Sequence, residues 1–179
     1  MHEELVIAGS GGQGVLFIGE IMAVAAMEEG KHTTWFPSYG PAMRGGKANC
    51  TVIVSLAEIG SSVAEHPNSL IVMNQPSLEF VKNIKPGGLL VINKSLVDWD
   101  FSRKDIEVLE VEASAIAQEL KVPQVANMVM LGAYLRKKQT VHIQSVINAL
   151  KEKLSKKKLS ADVIKTNEEA LKRGWEKAP

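Results

Sequence analysis

Apolar and polar positions change period repeatedly along this chain. Glu3 to Ala8 contains the run Leu5-Val6-Ile7-Ala8 and reads as a buried strand. After Gly14, Ile18, Ile21, Met22 and Ala25 recur at helical spacing, and Gly30 suits the stop. Thr33 to Phe36 is β-branched and aromatic, which predicts a second strand. The stretch from Ser38 to Gly46, with Pro41 and three glycines, predicts a loop. Ala48 to Val54 alternates and predicts a third strand; Leu70 to Met73 predicts a fourth, followed by a short helix from the Pro76 region through Val81.

Pro86-Gly87-Gly88 marks a turn before a strand at Leu89 to Ile92. Ile106 to Val111 predicts another strand, and Ala113 to Leu120 a helix. Pro123 breaks the chain ahead of a long apolar helix, Val125 to Leu135. Two amphipathic helices follow, over 143–154 and 160–173. Strands alternating with helices predict an α/β fold on a mostly parallel central sheet flanked by helices. No internal repeat or long linker divides the 179 residues, so a single domain over 1–179 is expected.

Composition adds mainly exclusions. An apolar fraction of 45% and a charged fraction of 23% are ordinary for a globular domain. No apolar stretch reaches membrane-spanning length and Met1-His2-Glu3-Glu4 lacks a basic start, so a cytoplasmic protein with no membrane partner is expected. One cysteine, Cys50, excludes an internal disulfide and a self-contained iron–sulfur cluster. His2, His32, His66 and His142 fall at no metal-ligand spacing, so no metal site is expected in this chain. Net charge is +1, but residues 136–179 carry +7 and residues 1–135 carry −6. That division suits either steering of an acidic partner or a lysine-rich solvated helix face. The basic tail has no interleaved aromatics, so no nucleic-acid partner is expected.

The candidate chemistry lies in two glycine-rich stretches. In GSGGQG (9–14), four glycines follow the first strand and precede the first helix. This arrangement aims backbone N–H groups and the positive helix end at one spot, a geometry that binds phosphate or another anion. Gly9, Gly11 and Gly14 match the G-x-G-x-x-G spacing, with Gly12 and Gln13 between them. A nicotinamide site also wants an acid about 20 residues onward, and Lys31 to Ala57 contains no Asp or Glu. No G-K-[ST] closes the loop, so a P-loop is excluded as well. The plainer alternative is a tight turn packed between helix and sheet. Gln13 tilts against it, because a long amide in a glycine frame can serve a ligand or a neighbouring chain.

The second stretch, PSYGPAMRGG (37–46), sets the Ser38 and Tyr39 hydroxyls and the Arg44 guanidinium beside further glycines. Arginine offers a planar fork for carboxylate or phosphate, although Arg44 also fits a surface charge. Following the second strand, this loop should emerge at the same sheet end as the first, so that both border one crevice. Asn127 suits either a ligand contact or a cap for the long helix behind it.

The combination G-S-G-G-Q-G, then S-Y-G-P-A-M-R-G-G followed by A-N-C-T-V, and A-N-M at 126–128 resembles the gamma chain of 2-oxoacid:ferredoxin oxidoreductases. The likeness is to the 2-oxoglutarate or branched-chain 2-oxoacid type and spans nearly the whole chain; Asn167, Ala170 and Gly174 fit the family's C-terminal helix. Two positions depart from it: Ala42 stands where Glu is common, and Lys47 where a small polar residue is.

The resemblance implies a three-layer fold and a non-autonomous subunit of a complex with alpha, beta and small ferredoxin-like chains. Such a complex converts a 2-oxoacid, expected to be 2-oxoglutarate, and coenzyme A to an acyl-CoA and CO2, with ferredoxin as acceptor. Thiamine diphosphate, magnesium and [4Fe–4S] clusters are expected on the partner subunits, with none held by this chain alone. The expected contributions here are backbone contacts from Gly9, Gly11, Gly12 and Gly14, polar contacts from Gln13, Ser38, Tyr39 and Asn127, and charge pairing from Arg44, toward coenzyme A or the catalytic chains. A stand-alone nucleotide- or phosphate-binding regulatory module without redox activity is the alternative reading.

Overall fold

The computed structural model describes residues 1–40, 46–100 and 102–178. Six strands form one sheet in the order β2-β3-β1-β4-β5-β6. They are β1 (His2–Ser10), β2 (His32–Tyr39), β3 (Lys47–Ser55), β4 (Ser69–Val72), β5 (Leu89–Asn93) and β6 (Glu107–Val111). The helices are α1 (Val15–Glu28), α2 (Ala113–Glu119), α3 (Ala126–Lys138), α4 (Ile143–Lys156) and α5 (Ala161–Lys177). Strand β1 pairs parallel with β4, β4 with β5 and β5 with β6, whereas β3 runs antiparallel to both β1 and β2. The sheet is therefore mostly parallel, with β3 the reversed strand.

The layers on its two sides are unequal. Leu5, Ile7, Cys50, Val52, Ile71 and Val91 point to the face covered by α1 to α5. Val6, Ala8, Leu70, Val72, Leu90 and Ile92 point to the other, which is covered by a 3-10 segment, Gln75–Asn83. The short helix expected from Pro76 is this segment, begun by Asn74, whose side chain accepts the Ser77 N–H at 3.2 Å. Helix α3 is buried at every position from Ala126 to Leu135. Such a stretch has no solvated face, which explains why its sequence is apolar apart from Asn127 and the Tyr134 hydroxyl, both of which are hydrogen-bonded.

Strand β2 extends further than its β-branched centre predicts. Ser38 and Tyr39, expected in a loop, continue the ladder opposite Asn49 and Ala48. Gly40 N–H then donates to Lys47 O at 2.8 Å. Alternation along the strand turns the Ser38 and Phe36 amides toward β3 as well, which leaves Pro37 at the outer edge, where its missing N–H interrupts no ladder.

The uneven charge is partly neutralised within the fold. Lys137 pairs with Glu107 at 2.9 Å, Arg173 with Glu119 at 3.0 Å, and Lys153 with Glu20. These pairs join distant parts of the same chain. Each exposed pair is worth about 0–1 kcal/mol. No helix among the described residues is long and apolar enough to cross a membrane.

Candidate functional site

The two glycine stretches meet. Because β3 returns antiparallel beside β1, Ser10 lies opposite Lys47, and Gly11 N–H donates to Gly46 O at 2.9 Å. They border a cleft of about 540 Å3 at the carboxyl end of β1, walled by Gly11, Gly12, Gly14, Phe17, Tyr39 and Gly46. Carboxyl ends of parallel strands are where ligands bind in open α/β sheets.

Within the first loop, Gly12 and Gly14 have φ of 97° and 71°, a region costly for other residues. Gly14 is the N-cap of α1 and, having no side chain, caps none of the N–H groups of its first turn. The N–H groups of a first turn lack intrahelical acceptors and carry the positive end of the helix dipole, so this terminus is open to an anion. Gly9 has a packing role: a Cβ there would lie 2.7 Å from Gln13 Oε1 and 2.8 Å from Val15 Cγ1.

The amide of Gln13 is turned inward. Its Oε1 accepts from Ser10 N at 2.8 Å and Ser10 Oγ at 3.1 Å, while Nε2 donates to Met73 O at 3.4 Å. Gln13 thus ties the end of β1 to the end of β4 and holds the loop in shape. Asn127 braces the loop from behind and is 5% exposed. Its Nδ2 donates to Gly14 O at 3.3 Å and its Oδ1 accepts Met128 N–H at 2.7 Å. It is the second residue of α3 and does not occupy the N-cap, which is Val125. A Cβ on Gly14 would collide with Asn127 Nδ2, so glycine here also permits this close approach.

Ser38 and Tyr39 separate. Adjacent residues of a strand face opposite sides of a sheet. Tyr39, 71% exposed, lines the cleft, whereas Ser38 lies on the other face in a groove with Phe36, Val63 and Phe80. Arg44 lies outside the described residues. Leu16 and Phe17, which were not among the expected site residues, also line the cleft. The available signal was two apolar residues outside the inward stripe at 18, 21, 22 and 25. Lys157 Nζ stands 5.8 Å from the centre of the Phe17 ring, which brings the lysine cluster to this rim.

Cys50 is fully buried, with Sγ 3.5 Å from Val15 O, and burial pushes its thiol up to about 12. A buried neutral thiol is a poor nucleophile and a poor metal ligand. Native protein at pH 8 should therefore resist iodoacetamide and react in denaturant with one equivalent. Rapid alkylation of the folded chain would contradict this placement.

A model of the family described as pyruvate ferredoxin/flavodoxin oxidoreductase matches residues 4–177. Ketoisovalerate oxidoreductase subunit VorA of Methanothermobacter marburgensis is 42% identical over 131 residues, covering 72% of this chain and 27% of that protein. The chain thus matches about a quarter of the length of that relative. The 2-oxoglutarate synthase subunit KorC of Methanocaldococcus jannaschii is 32% identical over 160 residues, 87% of this chain and 86% of its own length. Among solved structures, the gamma subunit of a keto/oxoacid ferredoxin oxidoreductase from Geobacter sulfurreducens superposes with a TM-score of 0.84 at 27% identity, over 99% of this chain and 96% of that one. With the glycine loops, the mixed sheet and this match along nearly its whole length, the chain belongs to the pyruvate ferredoxin/flavodoxin oxidoreductase family and resembles its gamma subunits.

Proposed function

We propose that this chain is a non-autonomous, gamma-type subunit of a thiamine diphosphate-dependent 2-oxoacid:ferredoxin oxidoreductase, and that it supplies one wall of a coenzyme A-dependent site. The observation that carries this reading is the joining of the two glycine stretches by the Gly11–Gly46 hydrogen bond around one cleft. The Gly12 and Gly14 N–H groups and the first turn of α1 would meet a phosphate of coenzyme A, with Tyr39 and Phe17 on the cleft walls and Arg44 pairing with an anion or a partner's acid. Gln13 and Asn127 keep the loop in register. Since Gly11 N–H is engaged with Gly46, its part is to join the loops.

This chain's donor set does not fit the redox groups. A [4Fe–4S] cluster needs several thiolates, and Cys50 is one, buried and protonated. Among the described residues no group of three His, Cys, Asp or Glu side chains could hold a metal. In this reading clusters, magnesium and thiamine diphosphate are carried by alpha, beta and small ferredoxin-like partners, with ferredoxin taking the electrons. For the 2-oxoacid, 2-oxoglutarate giving succinyl-CoA is the first reading, and KorC is named for that acid. The higher identity of a protein named for ketoisovalerate supports a branched-chain 2-oxoacid as the second.

Affinity purification of the tagged chain from its native host, followed by gel filtration, tests the subunit claim. The expected result is co-elution with larger chains, iron and thiamine diphosphate. Elution near 19.5 kDa, alone and colourless, would contradict it and favour the stand-alone phosphate-binding module.

A further inference from the structure

The fold has its topological switch point beside the glycine loop. After β1 the chain crosses through α1 on one face and adds β2 and β3 on one side; after β4 it crosses through the 3-10 segment on the other face and adds β5 and β6 on the other side. Diverging crossovers part the chain above the carboxyl ends of β1 and β4, and such crevices are preferred ligand sites. A second cleft, of about 370 Å3, lies here.

Its character differs from that of the first. Among the described residues, none that lines it is charged; Gln13, Met73, Ser114, Gln118 and Gln124 are among those that do. Asn93, fully buried, fixes Ser114 from below by donating Nδ2–H to Ser114 Oγ at 2.9 Å. The Ser114 hydroxyl keeps its own proton to donate, and the exposed Gln118 and Gln124 amides each offer donor and acceptor. Ionic groups are poorly served by such a lining, whereas amides and hydroxyls are well served. Gly12 lines both clefts, and among the described residues a Cβ built on it meets nothing within 4 Å.

We propose that the switch-point cleft is a second subsite, which takes an uncharged, amide- or hydroxyl-bearing portion of the ligand whose anionic portion meets the glycine loop. This rests on the anion reading above. Gly12 is the saddle over which the two portions join, and Ser114, Gln118 and Gln124 read the neutral portion.

The full chain, labelled with nitrogen-15, can be titrated separately with inorganic pyrophosphate and with pantetheine, an uncharged molecule bearing two amides. Pantetheine is expected to shift the Ser114 backbone amide and the Gln118 and Gln124 side-chain amides saturably. The double variant Gln118→Leu/Gln124→Leu should weaken pantetheine at least about fivefold, the value of one hydrogen bond or more, and leave pyrophosphate binding unchanged. Shifts absent from this cleft, or pantetheine affinity unchanged in the double variant, would overturn the subsite. Failure of pyrophosphate to shift Gly12 and Gly14 would instead remove the anion reading on which it rests, while pantetheine shifts would still report on the cleft itself.

Discussion

Gly174→Ala is expected to destabilise the chain by about 3 kcal/mol, the upper part of the usual cost of overpacking. The reason is a reciprocal crossing of two helices. A Cβ on Gly174 of α5 would overlap the Val129 carbonyl oxygen of α3 and stand 2.7 Å from its carbon and 2.9 Å from its Cα. One turn along, a Cβ on Gly132 of α3 would overlap Leu171 O and stand 2.9 Å from Trp175 N. The obstacles are backbone atoms, so no rotamer change relieves them; the helices must part. Separation would open voids around α3, the most deeply buried helix, and lose dispersion contacts along its length. Alanine's higher helix propensity offsets only about 1 kcal/mol. Urea denaturation of Gly174→Ala, Gly132→Ala and the double variant provides the check. The two losses should be less than additive, since one parting of the helices serves both. A Gly174→Ala chain as stable as the parent would show that the crossing is looser than described.

Much of this architecture is legible in the sequence, and the exceptions have identifiable causes. The run Leu5-Val6-Ile7-Ala8, the glycine loop and the inward stripe of α1 place β1 and α1 without ambiguity. The direction of β3 is a matter of chain length. Between Tyr39 and Lys47 there is too little chain for a parallel crossover, which needs a dozen residues or more, so the two strands must form a hairpin. Once the strand reaches Tyr39, period-two alternation alone separates Ser38 from the cleft.

Gln13 shows the opposite situation. Its residue type and its glycine surroundings suit a ligand contact, but its partner Met73 O is 60 positions away and directly follows a strand whose adjacency to β1 no local pattern encodes. Asn127 meets Gly14 across 113 positions in the same way. The switch-point cleft is a property of strand order, and strand order was beyond the reach of periodicity.

Gly12→Val is expected to lower function at least about tenfold while sparing the fold. With φ at 97°, valine would be strained by about 1–2 kcal/mol. Among the described residues no atom beyond its chain neighbours lies within 4 Å of the added Cβ, so none of them must repack around it. The isopropyl group would instead stand between the two clefts, where the proposed ligand must approach the backbone most closely. Blocking that approach removes hydrogen bonds to a charged group, each worth about 1.5–3 kcal/mol, or at least tenfold in rate. Gly30→Val is the matched control: its φ is 71°, its Cβ also meets open space, and it sits past the far end of α1. Both variants should lose similar stability.

The direct measurement is reconstitution of the complex with the parent chain, Gly12→Val or Gly30→Val, following assembly by gel filtration and coenzyme A-dependent acceptor reduction by absorbance. All three chains are expected to assemble, Gly30→Val to turn over normally, and Gly12→Val to lose at least about tenfold in kcat/KM for coenzyme A. A Gly12→Val complex that assembles and turns over like the parent would reduce the glycine loop to a turn and contradict the proposed role of this chain.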